Sequence, residues 1–144
     1  MVLAPEVAGY AAGILDGEGT VTLNLRKAPH STDALVTVSN TDERMLRWLQ
    51  QHIGGSVSPP HRGANERCRP TWCWRLYSIN ARRLLRAVLP FLVVKREQAE
   101  VVLAFHEAAE RQRATYVRSR ITVDSEPFAS IFAQVRTLNR RGPR

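Results

Sequence analysis

Two carboxylates lie close together at the end of an apolar, helix-like stretch. Asp16 and Glu18 are separated by Gly17 and followed by Gly19. The apolar residues before them recur with helical spacing from near Glu6, which predicts a helix that ends at these acids. Carboxylates are disfavoured there, because the C-terminal end of a helix dipole is negative. A bound cation would offset this cost, and oxygen ligands of this kind suit Mg²⁺.

The same predicted helix carries three glycines at intervals of four residues. Gly9, Gly13 and Gly17 therefore lie on one face of the helix. Each interior glycine costs a helix about 1 kcal/mol relative to alanine. A glycine face is useful where another backbone must approach closely, since glycine has no side chain to hold it away. The spacing predicts a closely packed helix partner.

Residues 11–19, Ala-Ala-Gly-Ile-Leu-Asp-Gly-Glu-Gly, resemble the motif of the LAGLIDADG homing endonucleases, with Ala11 in place of the usual leading leucine. In that family two such helices pack across a two-fold axis, and the acid in the eighth position binds the catalytic metal. The resemblance gives this role to Glu18, where the family more often has Asp. The alternative is an ordinary helix with an acidic C-terminus. The resemblance implies a dimer interface at Gly9, Ala12, Gly13 and Asp16.

Composition and charge favour a nucleic-acid partner. The chain has 144 residues, with 21 Lys plus Arg against 13 Asp plus Glu and a net charge of +8. This balance favours nucleic acid over an acidic protein or a membrane surface. Neither an apolar run long enough for a membrane span nor the pattern of a signal peptide is present. The two cysteines make no disulfide framework. We expect an intracellular protein of the cytoplasm, nucleoid or an organelle, not a secreted one.

The elements that must position the acids follow from the periodicity of the chain. Alternation after Gly19 and again over 35–40 predicts a β-hairpin. A second strand pair is predicted at 56–58 and 71–79, with Pro59 and Pro60 ending the first of these strands. Helices are predicted after each pair and near the C-terminus. The N-cap residues are predicted in the stretch 41–43 and at Asn80.

This order, αββαββα, predicts an α+β fold: a four-stranded antiparallel sheet with helices on one face. It is similar to the LAGLIDADG fold over roughly residues 5–112. We interpret residues 1–144 as a single domain, in which 113–144 form a basic C-terminal extension with a last helix to about Asn139.

The open face of the predicted sheet is polar, partly cationic and nearly free of acids. A ribbon of such strands suits the DNA major groove, where these groups read base edges. The alternative is a solvated sheet face, for which more Glu and Lys would be expected. The predicted DNA-binding residues are Thr20, Thr22, Asn24, Arg26, Thr37, Ser39, Ser56, Ser58, Cys73, Arg75 and Tyr77, with Arg62, Arg67 and Arg69 in a loop.

The chain holds one copy of the motif. None of the later glycines, at 54, 55, 63 and 142, follows a small apolar helix and precedes an acidic pair. In the family, members with one motif act as homodimers, so the resemblance implies a homodimer. Two Glu18 carboxylates that approach one another would need a cation between them.

The resemblance supplies three further catalytic candidates. Lys95 stands where the family has its active-site lysine, which activates the attacking water or stabilises the transition state. Asn40 matches the polar residue that orients water, and Arg44 matches a position where the family can place another cation. The alternatives are a solvated lysine, a turn residue and a phosphate contact or surface charge, respectively. For the metal, the candidate ligands are Glu18 and the carbonyl oxygen of Gly17.

The sequence thus predicts a homing endonuclease, with intron or intein homing implied by the resemblance. It would be a homodimer that hydrolyses both strands of double-stranded DNA at a long, nearly palindromic site. Mg²⁺ is the expected metal, with Mn²⁺ or Ca²⁺ able to replace it in binding, and neither a membrane nor a small-molecule cofactor is expected. The alternatives are an inactive DNA-binding regulator, an RNA-binding intron maturase, or an unrelated α+β protein with a basic surface.

Overall fold

The computed structural model describes residues 1–24, 32–61, 69–115 and 126–139. The helices and strands follow one another along the chain, with a 3-10 turn at Leu89–Phe91 before the fourth helix. They are α1 Pro5–Glu18, β1 Gly19–Asn24, β2 Asp33–Asn40, α2 Glu43–Ile53, β3 Ser56–His61, β4 Thr71–Tyr77, α3 Ser78–Val88, α4 Arg96–Thr115 and α5 Phe128–Leu138.

The four strands form one antiparallel sheet in the order β1-β2-β4-β3. Its inward side chains, among them Val21, Val36 and Trp74, are fully buried. They belong to one core cluster with apolar residues of the helices, such as Leu15 of α1 and Leu84 of α3. The predicted α+β class is therefore confirmed. No described helix is long and apolar enough to cross a membrane.

Trp74 joins the sheet to the end of α2. Its indole Nε1 donates a hydrogen bond of 2.8 Å to the carbonyl oxygen of Gly54, so the polar atom of this buried ring is satisfied. The next residue, Gly55, has a positive φ of 88°, and a Cβ there would lie 2.7 Å from the carbonyl oxygen of Arg75. Glycine is therefore required where the chain turns from α2 into β3.

Two local predictions were wrong. Strand β3 does not end at the prolines but continues through Pro59 and Pro60, with a register shift against β4. As β3 is an edge strand, prolines without an N–H are tolerated there. Asn80 lies inside α3, which begins at Ser78 with Tyr77 in the N-cap position. The predicted capping of α2 is confirmed at Asp42, whose side chain accepts a hydrogen bond from a backbone N–H.

The predicted last helix is confirmed as α5, which packs against α4 and β1. The rings of Phe105 and Phe128 meet edge to face at 5.1 Å. Gln98 donates from Nε2 to the carbonyl oxygen of Leu138 at 3.2 Å, and Asn139 donates from Nδ2 to that of Val21 at 2.9 Å. This helix therefore adds to the common core. The basic residues of the extension at 116–125 and 140–144 lie outside the described residues.

His106 is a buried titratable group between α3 and α4. It is only 6% exposed, and its Nε2 has no hydrogen-bond partner in the described part of the chain. Burial, together with the positive charge of Arg82, lowers its pKa from 6.5 to about 4, although Asp33 and Glu110 oppose this. The folded protein therefore holds this imidazole neutral at neutral pH.

We expect the free energy of unfolding to fall as the pH drops from about 6.5 to about 4. In this window the unfolded chain binds a proton at His106 and the folded chain does not, which costs about 1.4 kcal/mol per pH unit and roughly 3 kcal/mol in total. Denaturant unfolding at a series of pH values measures this. His106→Leu should flatten the curve in this window, and an unchanged slope in the variant would contradict the assignment.

Candidate functional site

The candidate catalytic residues gather at one end of the sheet. α1 ends at Glu18, and β1 begins with Gly19, which pairs with Val38 of β2. Because the two strands are antiparallel, Asn40 at the end of β2 lies at the same end of the sheet as Glu18. The structure thus brings together two residues that are 22 positions apart in the sequence.

Asp16 connects this end of α1 to the start of α4. Its Oδ2 accepts a hydrogen bond from the backbone N–H of Val93 and its Oδ1 accepts one from that of Lys95, both at 2.8 Å. The carbonyl oxygen of Lys95 accepts the first helical bond, from the N–H of Ala99 at 3.0 Å, so Lys95 stands at the N-cap of α4. The carboxylate therefore lies at the positive end of the α4 dipole, where an acid is favoured.

Glu18 and Lys95 both present uncommitted charged groups. Glu18 is exposed and Lys95 is half-buried, and neither side chain makes a hydrogen bond or an ion pair with any described residue. The ammonium of Lys95 is carried on backbone that Asp16 holds against the end of α1. A carboxylate and an ammonium therefore stand free at the same end of the molecule.

The oxygen groups at the end of α1 fit a hard divalent cation. The Glu18 carboxylate is available, and the carbonyl of Gly17 is one of the last four of the helix, which lack partners within it. Within the described ranges, no group of three or more His, Cys, Asp or Glu side chains is placed to hold a metal. A single chain thus offers part of a coordination sphere and leaves positions for water, phosphate or a second copy.

Gly19 makes the passage from α1 to β1 possible. Its backbone is extended, with φ of −85°, so the reason for glycine is space and not conformation. A Cβ at this position would lie 2.6 Å from the carbonyl oxygen of Leu15 and 2.7 Å from its Cα. Both are backbone atoms that cannot move without displacing the last turn of the helix. In contrast, a Cβ at Gly17 meets nothing within 4 Å in the part of the chain that the structure describes.

We expect Gly19→Ala to destabilise the protein by about 1–3 kcal/mol, because overpacking against backbone forces a shift of the helix end. Gly17→Ala is the matched control and should leave the free energy of unfolding unchanged or raise it by up to about 1 kcal/mol. Denaturant unfolding measures both, at a protein concentration where both variants sediment as monomers. Equal effects of the two substitutions would contradict the steric role of Gly19.

Asn40, Asp42 and Arg44 form a chain of contacts where β2 leads into α2. Asn40 Oδ1 accepts from the N–H of Asp42 at 2.8 Å. Asp42 in turn accepts from the N–H of Arg44 at 3.0 Å and pairs with its guanidinium, with Nη2 to Oδ2 at 2.6 Å. Hydrogen bonds from Arg44 lower the pKa of Asp42 to about 2. Among the described residues the amide nitrogen of Asn40 therefore has no acceptor, whereas Arg44 is already paired.

The open face of the sheet carries the predicted polar residues in register. They are exposed or half-buried, whereas the alternate residues of the same strands face the core. Arg26, Arg62 and Arg67 lie outside the described residues, and Arg69 is exposed just before β4. Leu35, Thr71 and the acid Asp33 also fall on this face, although the sequence interpretation omitted them. The paired rows are Thr20-Thr37-Arg75-Ser56, Ser39-Cys73-Ser58, Thr22-Leu35-Tyr77 and Asn24-Asp33.

The glycine face of α1 is open. A Cβ at Gly13, as at Gly17, would meet nothing within 4 Å, and one at Gly9 would meet only the Phe91 side chain, at 3.9 Å. Ala12, predicted at the dimer interface, is instead buried in the core of its own chain, because it lies about 100° around the helix axis from Gly13 and faces the core. Asp16, assigned to the same interface, uses its carboxylate within the chain.

Two features of the site were missed by the sequence interpretation. Three apolar side chains beside the glycine face are exposed: Phe91 at 44%, Val93 at 82% and Val94 at 63%. The sequence signal for this exposed surface is the unbroken apolar run at 91–94, which directly precedes the charged start of α4. The pairing of Asp42 with Arg44 was also missed, although an acid two residues before an arginine at a helix start makes such a contact possible.

Comparisons with known proteins place the chain by structure only. No protein-family model matches the sequence, and no curated protein matches it. Solved structures do match. An archaeal intron-encoded homing endonuclease, I-Vdi141I, complexed with DNA, superimposes with a TM-score of 0.68 at 12% identity, over 95% of this chain and 86% of that one.

Two further structures bracket the extent of the match. The homing endonuclease I-TnaI superimposes with a TM-score of 0.55 at 15% identity. The match covers 96% of this chain and 100% of that one. The LAGLIDADG meganuclease I-AabMI, bound to uncleaved DNA, has a TM-score of 0.62 at 13% identity, but only 44% of that chain is covered, by 89% of this one. The chain therefore has the fold of the LAGLIDADG homing endonucleases, as the resemblance of residues 11–19 predicted.

Proposed function

We propose that this protein is a homodimeric, metal-dependent endonuclease that cuts both strands of DNA at a specific, nearly palindromic site. The observation that carries the proposal is the double hydrogen bond of Asp16, which ties the backbone of Lys95, at the N-cap of α4, to the end of α1 that carries Glu18. A carboxylate and an ammonium without a partner among the described residues would then act together at one end of a polar sheet. Solved proteins with this fold include homing endonucleases complexed with DNA.

The open glycine face supports a homodimer. A stripe without side chains allows a second α1 to approach closely, and the exposed Phe91, Val93 and Val94 beside it form an apolar surface that a second copy would cover. A two-fold axis along α1 would bring the two Glu18 carboxylates near each other. Two carboxylates at such a short distance repel each other. A cation bound between them would be the simplest way to offset this repulsion.

Phosphodiester hydrolysis requires an activated water and neutralisation of charge on the phosphate. When bound, Mg²⁺ supplies Lewis-acid polarisation and lowers the pKa of coordinated water. Glu18 and the carbonyl of Gly17 would hold it. The ammonium of Lys95 stabilises negative charge as it develops on the phosphate oxygens. The free amide nitrogen of Asn40 donates a hydrogen bond that orients a water or a phosphate oxygen.

The polar face of the sheet supports recognition of base edges in the major groove of DNA. A β-ribbon fits this groove, and an arginine can bind guanine O6 and N7 in a bidentate manner. Arg75 lies in the row that crosses all four strands, beside Thr37 and Ser56. It makes no ion pair with any described residue, so its guanidinium is available for a base or a phosphate.

Glu18→Gln should abolish Mg²⁺-dependent cleavage, by at least about 100-fold, while leaving DNA affinity near that of the wild type. The measurement is cleavage of a randomised DNA library with Mg²⁺ and with EDTA, together with retention of the same library. Glu6→Gln, at the other end of α1, is the matched control and should cut normally.

The outcomes of this experiment separate the candidate functions. Staggered cuts at one two-fold-related site, absent in Glu18→Gln, support the endonuclease. Selective DNA retention without cuts in any divalent ion would point to a DNA-binding regulator. Neither cuts nor retention would point to RNA and a maturase. Equal loss of cleavage and affinity in Glu18→Gln would make Glu18 a structural residue.

Gly13→Leu should weaken self-association at least tenfold, because a side chain on the open face separates the two helices. The isolated chain should lose little stability, since a Cβ at this position meets no other part of the described residues within 4 Å and leucine is the better helix former. Sedimentation equilibrium measures the association, and Ala104→Leu, on an exposed face of α4, controls for added bulk. A monomeric wild type, or equal weakening by both variants, would contradict the proposed dimer interface.

A further inference from the structure

Arg44 is paired with an acid even though it is one of the most exposed side chains at the candidate site. Its side chain is 91% exposed and that of Asp42 is 45% exposed. Nε and Nη2 of the guanidinium both donate to the carboxylate, at 3.0 Å to Oδ1 and 2.6 Å to Oδ2. This is the two-pronged geometry with which arginine also binds a phosphate.

Asp42 is held in place independently of the Arg44 guanidinium, by backbone groups that include the N–H of Arg44. Its side chain is the N-cap of α2, and its own N–H donates to Asn40 Oδ1. The carboxylate also lies at the positive end of the helix dipole. Because Arg44 is fixed only at its backbone, the guanidinium is the partner that can leave, and the carboxylate is the partner that stays.

The pair is accessible enough to be exchanged. An ion pair exposed to water is weak, since solvent screens both charges. A DNA phosphate arriving at this end of the sheet competes with the carboxylate for the same edge of the guanidinium. Until it does so, Arg44 contributes almost no net positive charge to the surface, because its charge is balanced by its neighbour.

We propose that Asp42 is a specificity-determining residue, which occupies the phosphate-binding edge of Arg44 until correctly seated DNA displaces it. The inference rests on the proposed function, because it requires duplex DNA at this end of the sheet. In this arrangement, DNA that is bound non-specifically gains little binding free energy from Arg44. DNA seated on the sheet and at Glu18 brings a phosphate close enough to take the guanidinium. Asp42 thereby lowers sequence-independent binding more than it lowers binding of the target.

Asp42→Asn tests the proposal with little disturbance of the fold, since asparagine caps a helix as well as aspartate does. Binding of duplex DNA that lacks the target is measured over a range of salt concentrations. We expect several-fold tighter binding and a plot of log affinity against log salt that is steeper by about one unit, as for one additional phosphate contact. The ratio of target to non-target affinity should fall correspondingly.

The matched control is Glu43→Gln, which removes the same charge one residue away. Glu43 pairs with Arg47 at 2.7 Å, so this variant has the same net charge as Asp42→Asn but leaves Arg44 bound. If both variants steepen the salt dependence equally, the effect is not specific to the Asp42–Arg44 pair and the proposal is overturned.

A double variant isolates the role of Arg44. In an Arg44→Ala background, Asp42→Asn should change neither the salt slope nor the affinity ratio. Persistence of the full effect without Arg44 would overturn the proposal.

Retention on heparin, a polyanion without bases, separates this inference from the proposed function. Suppose that Asp42→Asn binds heparin more tightly than the wild type, but that the wild type does not bind duplex DNA. This result would refute the proposed endonuclease, while the Asp42–Arg44 pair would still be shown to weaken binding of polyanions. Absence of the effect on both heparin and DNA would overturn the inference itself.

Discussion

The candidate site depends on one carboxylate, at the end of α1, that accepts hydrogen bonds from the backbone where α4 begins. The start of α4 has backbone N–H groups without helical partners, and Asp16 at the end of α1 accepts from two residues there, each at 2.8 Å. An acid that is unfavourable for its own helix is thus favourable for the neighbouring one. This contact ties the backbone of Lys95 to the end of α1 that carries Glu18, so the chemistry proposed for the site rests on it.

The sequence predicts those parts of the fold that local rules determine. The alternation in β1 and β2, the N-cap at Asp42 and the glycines after α2 depend on nearby residues, and each was found in the structure. In contrast, Asp16 contacts residues that are 77 and 79 positions away in the sequence, and no local sequence pattern predicts these contacts. Whether Pro59 can sit in a strand likewise depends on that strand lying at the sheet edge, which is a property of the whole sheet.

The candidate site was predicted less evenly than the fold. Residues 11–19 indicated the acids, and the resemblance indicated Lys95, Asn40 and Arg44. Glu18 and Asn40 lie at one end of the sheet because Gly19 pairs with Val38, a register that the periodicity alone does not fix. The sequence could show that Arg44 is a cation, but not that its charge is already balanced.

The tight passage at Gly19 also has a mechanical consequence. Since Leu15 backbone atoms leave no room for even a methyl group, the last turn of α1 and the first residue of β1 are in direct backbone contact. In a homodimer joined through α1, the tilt between the two helices would be transmitted to the two sheets without an intervening hinge. The angle at which paired helices cross would then set the spacing, along the DNA, between the two stretches of bases that the sheets read.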